Sequence, residues 1–190
     1  MTERRGGTGS GTADFEATYR AEVHGLTALA RSLTGDREVA ADLVHEAMVR
    51  TYRSWPHVAS LDRPGAWIRR VLINLVIDAQ RRRRRETGVL TRLAHTTTPT
   101  PAAPDDRLDA DLDAGRFWAA VRELPERQRA AVALYYLDDL GIAEIADVLD
   151  VSVGTVKTSL HRARRRLAAV LGPQLGRTID TPPTPDEVTR

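Results

Sequence analysis

The chain has 190 residues, enough for one ordinary domain or two small ones, and its 42% hydrophobic and 28% charged content is a globular balance. Aromatics are only 5%, so the cores must be built mainly from Leu, Val, Ile and Ala, and the absence of cysteine excludes disulfides and thiolate metal sites. A net charge of +2 selects no partner by itself, no run approaches the roughly 20 apolar residues of a membrane span, and the polar, Gly-rich stretch Met1 to Gly11 does not read as a signal peptide.

The first expected element is a helix from about Asp14 to Leu33. Phe15, Tyr19, Val23, Leu26, Ala30 and Leu33 recur there at three- and four-residue spacing, and Gly35 is a natural stop. Asp36 is placed to cap a second helix to about Ser54. Its expected inward stripe is Val39, Leu43, Ala47, Met48, Tyr52 and Trp55. A loop, Pro56 to Arg63, leads to Pro64 at the first position of a third helix. That helix carries Trp67, Val71, Leu72, Leu75, Val76 and Ala79 and runs into Arg81–Arg85. Three helices with short connections predict a compact bundle.

From Glu86 the pattern collapses into a polar, Pro- and Thr-rich linker. A second helical module follows. Its first helix spans about Asp111 to Leu124, with Leu112, Phe117, Val121 and Leu124 inward, and Pro125 restarts a helix through Tyr136 and Leu137. Gly141–Leu149 is a short helix, Asp150–Ser152 a tight turn with Ser152 as N-cap, and a last helix runs to about Leu171 before Gly172 and Pro173. The fold class expected is all-α. The expected divisions are a disordered amino terminus over 1–12, a first module over 13–85, a flexible acidic linker over 86–110, a second module over 111–171, and a disordered tail over 172–190.

Basic residues outnumber acidic ones over 1–85 and 116–171, and acidic ones dominate 86–115. Two basic blocks around an acidic linker suggest a long polyanion as partner. Nearly all the cations are Arg, with Lys157 the single lysine, a bias that a GC-rich genome accounts for by itself.

Gly141 to Arg166 carries the strongest motif, a short helix, tight turn and second helix that make a helix-turn-helix. On the second helix Val153, Val156, Leu160, Ala163 and Leu167 form the expected buried stripe. The opposite face offers Thr155, Thr158, Ser159, Arg162 and Arg166. Small polar side chains at a helix start suit base edges in the major groove, and Lys157, Arg164 and Arg165 suit the flanking phosphates. A plain helical hairpin with a solvated Arg face is the structural alternative.

In the second helix Glu38, Asp42 and Glu46 share one face at four-residue spacing, where like charges repel. Either Arg neighbours relieve the stripe, as Arg50 does for Glu46, or a basic partner docks there. In the third helix Arg69, Arg70 and Arg81–Arg85 suit the backbone of an opened strand, and Asn74 suits an unstacked base edge. The Arg run also suits a solvated helix end that complements the macrodipole. Trp67 reads as core by its spacing. The histidines at 24, 45, 57, 95 and 161 form no zinc-binding pair, and no P-loop or nucleophile elbow is present, so neither a metal nor a cofactor is expected.

Leu124-Pro-Glu-Arg-Gln-Arg129, Glu144-Ile-Ala146, Val151-Ser-Val-Gly-Thr-Val-Lys157 and Leu160-His-Arg-Ala-Arg164 resemble domain 4 of the extracytoplasmic-function sigma factors. Ala41-Asp-Leu-Val-His-Glu46, Arg63-Pro-Gly-Ala-Trp67 and Asn74-Leu-Val-Ile-Asp78 resemble domain 2 of the same family. The resemblance covers about residues 14 to 171, with both motif sets in order. It implies a protein that binds core RNA polymerase, through the largest and second-largest subunits, and directs it to promoter DNA. It implies no enzymatic activity, a cytoplasmic location without membrane insertion, and an anti-sigma factor as a candidate partner.

The same resemblance assigns residues. Asp42, Leu43, Val44, His45 and Glu46 fall in the polymerase-binding segment, with His45 where the family usually has Gln. Trp67, Arg70, Asn74, Asp78, Arg81 and Arg82, with the loop 56–63, fall on the minus-10 side. Ser152, Gly154, Thr155, Lys157, Thr158, Ser159, Arg162 and Arg165 fall on the minus-35 side. Two departures stand out. Gly141 replaces the usual Ser, removing half of a capping box, and Ser159 stands where the family often has Arg. Two rivals remain open. A stand-alone helix-turn-helix regulator would carry a similar second module, and a nucleic-acid enzyme would need a catalytic set that is not recognisable here.

Overall fold

The computed structural model describes residues 8–93 and 112–172, with side chains over 14–86 and 114–172. The chain is all-α and divides near Thr96 into two units. The first holds α1 (Thr8–Thr34), α2 (Arg37–Arg53), α3 (Trp55–Val58) and α4 (Pro64–Leu93). The second holds α5 (Leu112–Arg122), α6 (Glu126–Tyr136), α7 (Ile142–Leu149) and α8 (Val153–Leu171).

In the first unit α1, α2 and α4 pack pairwise around Leu26, Leu29, Ala30, Leu33, Val44, Met48, Ile68, Leu72, Ile73 and Val76. Gly35, at φ 71°, ends α1, and the Asp36 carboxylate accepts from the Glu38 and Val39 N–H groups to start α2, as the sequence suggests. The α1 end receives further help from α4, where Gln80 Nε2 donates to the Leu33 carbonyl at 3.0 Å.

The buried stripe of α2 differs from the expected one. Ala40, Val44, Ala47, Met48 and Thr51 face inward, while Val39 and Tyr52 are exposed and Leu43 is half-buried. The helix carries two apolar stripes at helical spacing. Wedged between α1 and α4, it buries the one with small residues, which permits close approach. The expected loop 56–63 also contains structure. One helical turn, α3, buries Trp55 and Val58, so the segment is anchored before it reaches α4.

Two expected boundaries move. α1 begins at Thr8, inside the amino terminus expected to be disordered. α4 does not end at Arg85 but continues to Leu93, since no proline lies between Pro64 and Pro99. At 30 residues α4 is about 45 Å long. Arg81–Arg85 thus lie two turns short of its end, too far in for a helix-end dipole effect. The rest of the expected linker, from 94 on, and the tail from 173 lie outside the described residues.

In the second unit α6 is central, burying Arg129 through Tyr135 among α5, α7 and α8. Trp118, not the half-buried Phe117, is the deeper aromatic of α5. Leu112 lies outside the described side chains. Arg129 is buried and donates from Nη2 to the Leu124 carbonyl at 3.2 Å, tying the α5–α6 junction. Asp150, at φ 54°, turns the chain between α7 and α8 in the left-handed region that Asp tolerates. Half of the capping box survives at α7, since Glu144 Oε2 accepts from the Gly141 N–H at 2.8 Å.

Candidate nucleic-acid interface and partner-docking face

Three helix faces carry the candidate residues. On α2, Glu38, Val39, Asp42 and His45 are exposed and Leu43 and Glu46 are half-buried, so carboxylates alternate with aliphatic groups. Glu46 Oε1 accepts from Arg50 Nε at 2.8 Å, which relieves part of the like-charge repulsion along the stripe. Val44, expected among the docking residues, is only 4% exposed and belongs to the core. Successive helix residues point about 100° apart, and here Leu43 is the member of the pair left reachable.

On α4, Asn74, Asp78, Arg81 and Arg82 are exposed and follow half-buried Arg70 at three- and four-residue spacing, one ridge along the helix. Along this ridge Trp67, Val71 and Asn74 meet Arg50 and Arg53 of α2, and its C-cap Ser54, around a shallow open cavity of about 330 Å³. Trp67 is therefore neither wholly core nor wholly surface. Arg50 and Arg53 were absent from the sequence-derived set, because only the packing of α2 on α4 brings them to this wall.

Arg69 turns away from that ridge. Its Nη1 donates to Glu22 Oε2 at 2.8 Å and to the Gly65 carbonyl at 3.2 Å, with both charged side chains about four-fifths covered. This corrects its reading as a strand-gripping cation. It pins the start of α4 to α1. A side chain at Gly65 would put its Cβ 2.6 Å from Glu22 Oε1, so glycine makes room for the pair.

On α8, Val156, Leu160, Ala163 and Leu167 are buried as expected, but Val153 is 42% exposed because the helix has only begun there. Ser152 caps the helix. Its hydroxyl accepts from the Thr155 N–H at 3.2 Å and lies 2.9 Å from the Thr155 hydroxyl. Thr158 Oγ1 donates to the Gly154 carbonyl at 2.9 Å, leaving its oxygen lone pairs outward. Gly154, Lys157, Thr158, His161, Arg162 and Arg165 are exposed, and Thr155 and Ser159 are half-buried. The face thus combines hydroxyls near the helix start with cations along the following turns. His161, outside the expected set, sits in its middle. Among the described residues no cluster of His, Cys, Asp and Glu is arranged to hold a metal, and no helix is long and apolar enough to cross a membrane.

Comparisons with known proteins bear on the same residues. Residues 18–86 match the family Sigma-70 region 2, and residues 114–167 match Sigma-70, region 4. The chain is 33% identical to the RNA polymerase sigma-E factor of Streptomyces avermitilis over 154 residues, 81% of this chain and 83% of the relative. It is 32% identical to the ECF RNA polymerase sigma factor SigL of Mycobacterium tuberculosis, covering 90% and 96%. The chain belongs to the ECF sigma factors. It is an alternative sigma factor that directs transcription initiation by RNA polymerase. Region 2 of this sigma factor takes in most of α1 and α4 and the whole of α2 and α3, and region 4 takes in the whole of α6 and α7 and most of α5 and α8.

Among solved structures, the Bartonella quintana sigma factor RpoE, determined with the anti-sigma factor NepR, is similar at TM-score 0.64 and 24% identity over 83% of this chain and 96% of that one. CnrH, determined with the cytosolic domain of CnrY, is similar at TM-score 0.60 and 22% identity over 84% and 88%. At these identities the likeness concerns the fold.

Proposed function

We propose that this sigma factor divides its work among the three faces. The α2 face, through Asp42, Leu43, His45 and Glu46, docks on the largest subunit of core RNA polymerase, and the second-largest subunit is a further contact. The α4 ridge of Arg70, Asn74, Asp78, Arg81 and Arg82, with Trp67 and the neighbouring Arg50 and Arg53, holds the minus-10 strand after it is opened. The α8 face, through Ser152, Gly154, Thr155, Lys157, Thr158, Ser159, Arg162 and Arg165, lies in the major groove of the minus-35 element. The modules that do this are residues 13–85 and 111–171, and 86–110 links them. The protein performs no covalent chemistry, works in the cytoplasm, and takes an anti-sigma factor as a further partner, as the Bartonella quintana RpoE does.

The observation that carries this reading is the contrast between the exposed faces. The α8 face presents hydroxyls and cations, which suits a polyanion read in a groove, and its exposed backbone at Gly154 leaves room for close approach. The α2 face presents carboxylates with aliphatic groups between them, which suits a basic protein surface and repels DNA. The α4 ridge adds a guanidinium-lined cavity beside an amide and an indole, groups that hold backbone and base of a single strand.

Run-off transcription with purified core polymerase and a library of native upstream fragments tests it. Transcripts that depend on this protein, and that vanish when Asp42→Arg and Glu46→Arg are combined, are the expected result. A protein that fails to bind core polymerase yet binds duplex DNA alone would be a stand-alone regulator instead.

A further inference from the structure

Four arginines, Arg162, Arg164, Arg165 and Arg166, crowd the middle of α8, and by composition all four suit phosphates. The structure separates them. Arg162, Arg165 and Arg166 are exposed, whereas Arg164 is half-buried against α6. Its Nε donates to the Tyr136 hydroxyl at 3.1 Å, and its guanidinium carbon lies 5.4 Å from the centre of the Tyr135 ring. The two tyrosines meet edge to face at 4.9 Å, and Tyr136 meets Phe117 of α5 in the same manner at 5.9 Å. One cation on the recognition helix is thereby joined to the aromatic cluster of two other helices. Burial works against its charge, while the Tyr136 hydroxyl and the two phenol rings favour it, and the guanidinium pKa is held above its usual value.

The rest of the α8 seam is Val156, Leu160, Ala163 and Leu167. Such aliphatic packing resists separation but is weakly directional, so by itself it tolerates small rotations of the helix about its axis. Base recognition does not tolerate them. At a side-chain radius of 5–6 Å, a rotation of about 20° carries a side-chain tip about 2 Å, more than a hydrogen bond survives. A hydrogen bond and a cation–π contact are both directional, and they sit about 100° around the helix from the seam residue Ala163. We propose that Arg164 is a positioning residue for promoter reading: with Tyr136 and Tyr135 it fixes the rotation of α8, and it does not grip the DNA backbone. The inference rests on the assignment of α8 to the minus-35 element.

The test uses full-length protein in the polymerase holoenzyme, bound to a promoter fragment from the run-off screen and to the same fragment with its minus-35 bases scrambled, over a range of salt. A phosphate contact contributes about 0.9 to the slope of log K against log salt, and a positioning residue contributes nothing. Arg164→Gln is expected to lose preference for the intact fragment several-fold with the salt slope unchanged. Tyr136→Phe, which alters no charge, is expected to lose preference in the same direction. Arg164→Lys keeps the charge without the guanidinium geometry and is expected to behave like the Gln variant. A slope that falls by about 0.9 in Arg164→Gln, with Tyr136→Phe indistinguishable from wild type, overturns the proposal and makes Arg164 a phosphate contact. Should Arg164→Gln prove unfolded by thermal melting, Tyr136→Phe and Arg164→Lys decide alone. A wild-type holoenzyme indifferent to scrambling of the minus-35 bases overturns the promoter assignment of α8, and this inference with it.

Discussion

Helices α2 and α8 are each amphipathic and partly buried, and each carries a candidate binding surface, yet they leave opposite material outside. α8 buries Val156, Leu160, Ala163 and Leu167, and between exposed Val153 and Val170 at its two ends it presents mainly hydroxyls and cations. α2 buries Ala40, Ala47 and Thr51 while leaving Val39, Leu43 and Tyr52 wholly or partly exposed among carboxylates. A helix that leaves a second apolar stripe in water beside its buried one has a second surface to satisfy. The pairing of apolar groups with one sign of charge fits a protein partner, and a face of hydroxyls and cations fits DNA.

Breaking the two faces separately sharpens the contrast. Reversal of Asp42 and Glu46 to Arg should have the largest effect, weakening core polymerase binding about 100-fold, because like charges would then face a basic surface. Arg50 loses its partner Glu46, but an exposed pair of this kind contributes only about 0.3–0.5 kcal/mol, so the melting temperature should barely change. Pull-down of core polymerase and thermal unfolding of the same variant separate the two readouts. Normal core binding by the double variant would move the docking surface off α2.

The adjacent residues Leu43 and Val44 give a finer division. Val44→Ala removes two buried methyl groups and should destabilise the first unit by about 2 kcal/mol, seen as a lower denaturation midpoint. Leu43→Ala should leave the midpoint nearly unchanged and weaken core binding several-fold. On α8, Lys157→Ala and Arg162→Ala should each reduce promoter affinity by about fivefold and lower the salt slope by about 0.9. Equal slopes for wild type and both variants would remove these cations from the DNA backbone.

The sequence made the helix count and type legible in the second unit because its signals were local: Gly141, Ser152 and the 156–160–163–167 spacing each act within a turn or two. The same locality explains the failures. Val39 and Leu43 were expected inward because they fall on one apolar stripe at helical spacing, but which stripe of α2 is buried depends on two neighbours rather than on α2. Arg69 and Arg164 were read as DNA-facing because an isolated helix does not reveal that Glu22 and Tyr136 lie opposite them. Arg50 and Arg53 were missed for the converse reason, since the cavity they line exists only between α2 and α4. In each case residue chemistry was readable and residue direction was not, and direction decides whether an arginine serves the fold or a ligand.

Two glycines carry the comparison to its smallest effect. Gly25 lies inside α1 and Gly154 in the first turn of α8. A Cβ at Gly25 would meet nothing within 4 Å, and one at Gly154 would meet only the Ser152 hydroxyl, at 3.8 Å. Neither glycine is required by the packing, and each costs helix stability of up to about 1 kcal/mol relative to Ala, less in a first turn. Gly25→Ala should therefore raise the stability of the first unit by about 0.5–1 kcal/mol and leave transcription unchanged. Gly154→Ala should raise the stability of the second unit by a few tenths of a kcal/mol and yet weaken minus-35 binding several-fold, because the added methyl stands where DNA approaches the backbone. Stability and binding moving in opposite directions at Gly154 alone would mark a position held for its ligand rather than for its fold. A Gly154→Ala variant that is both more stable and fully active would place the nearest DNA contact further along α8, toward Lys157 and Arg162.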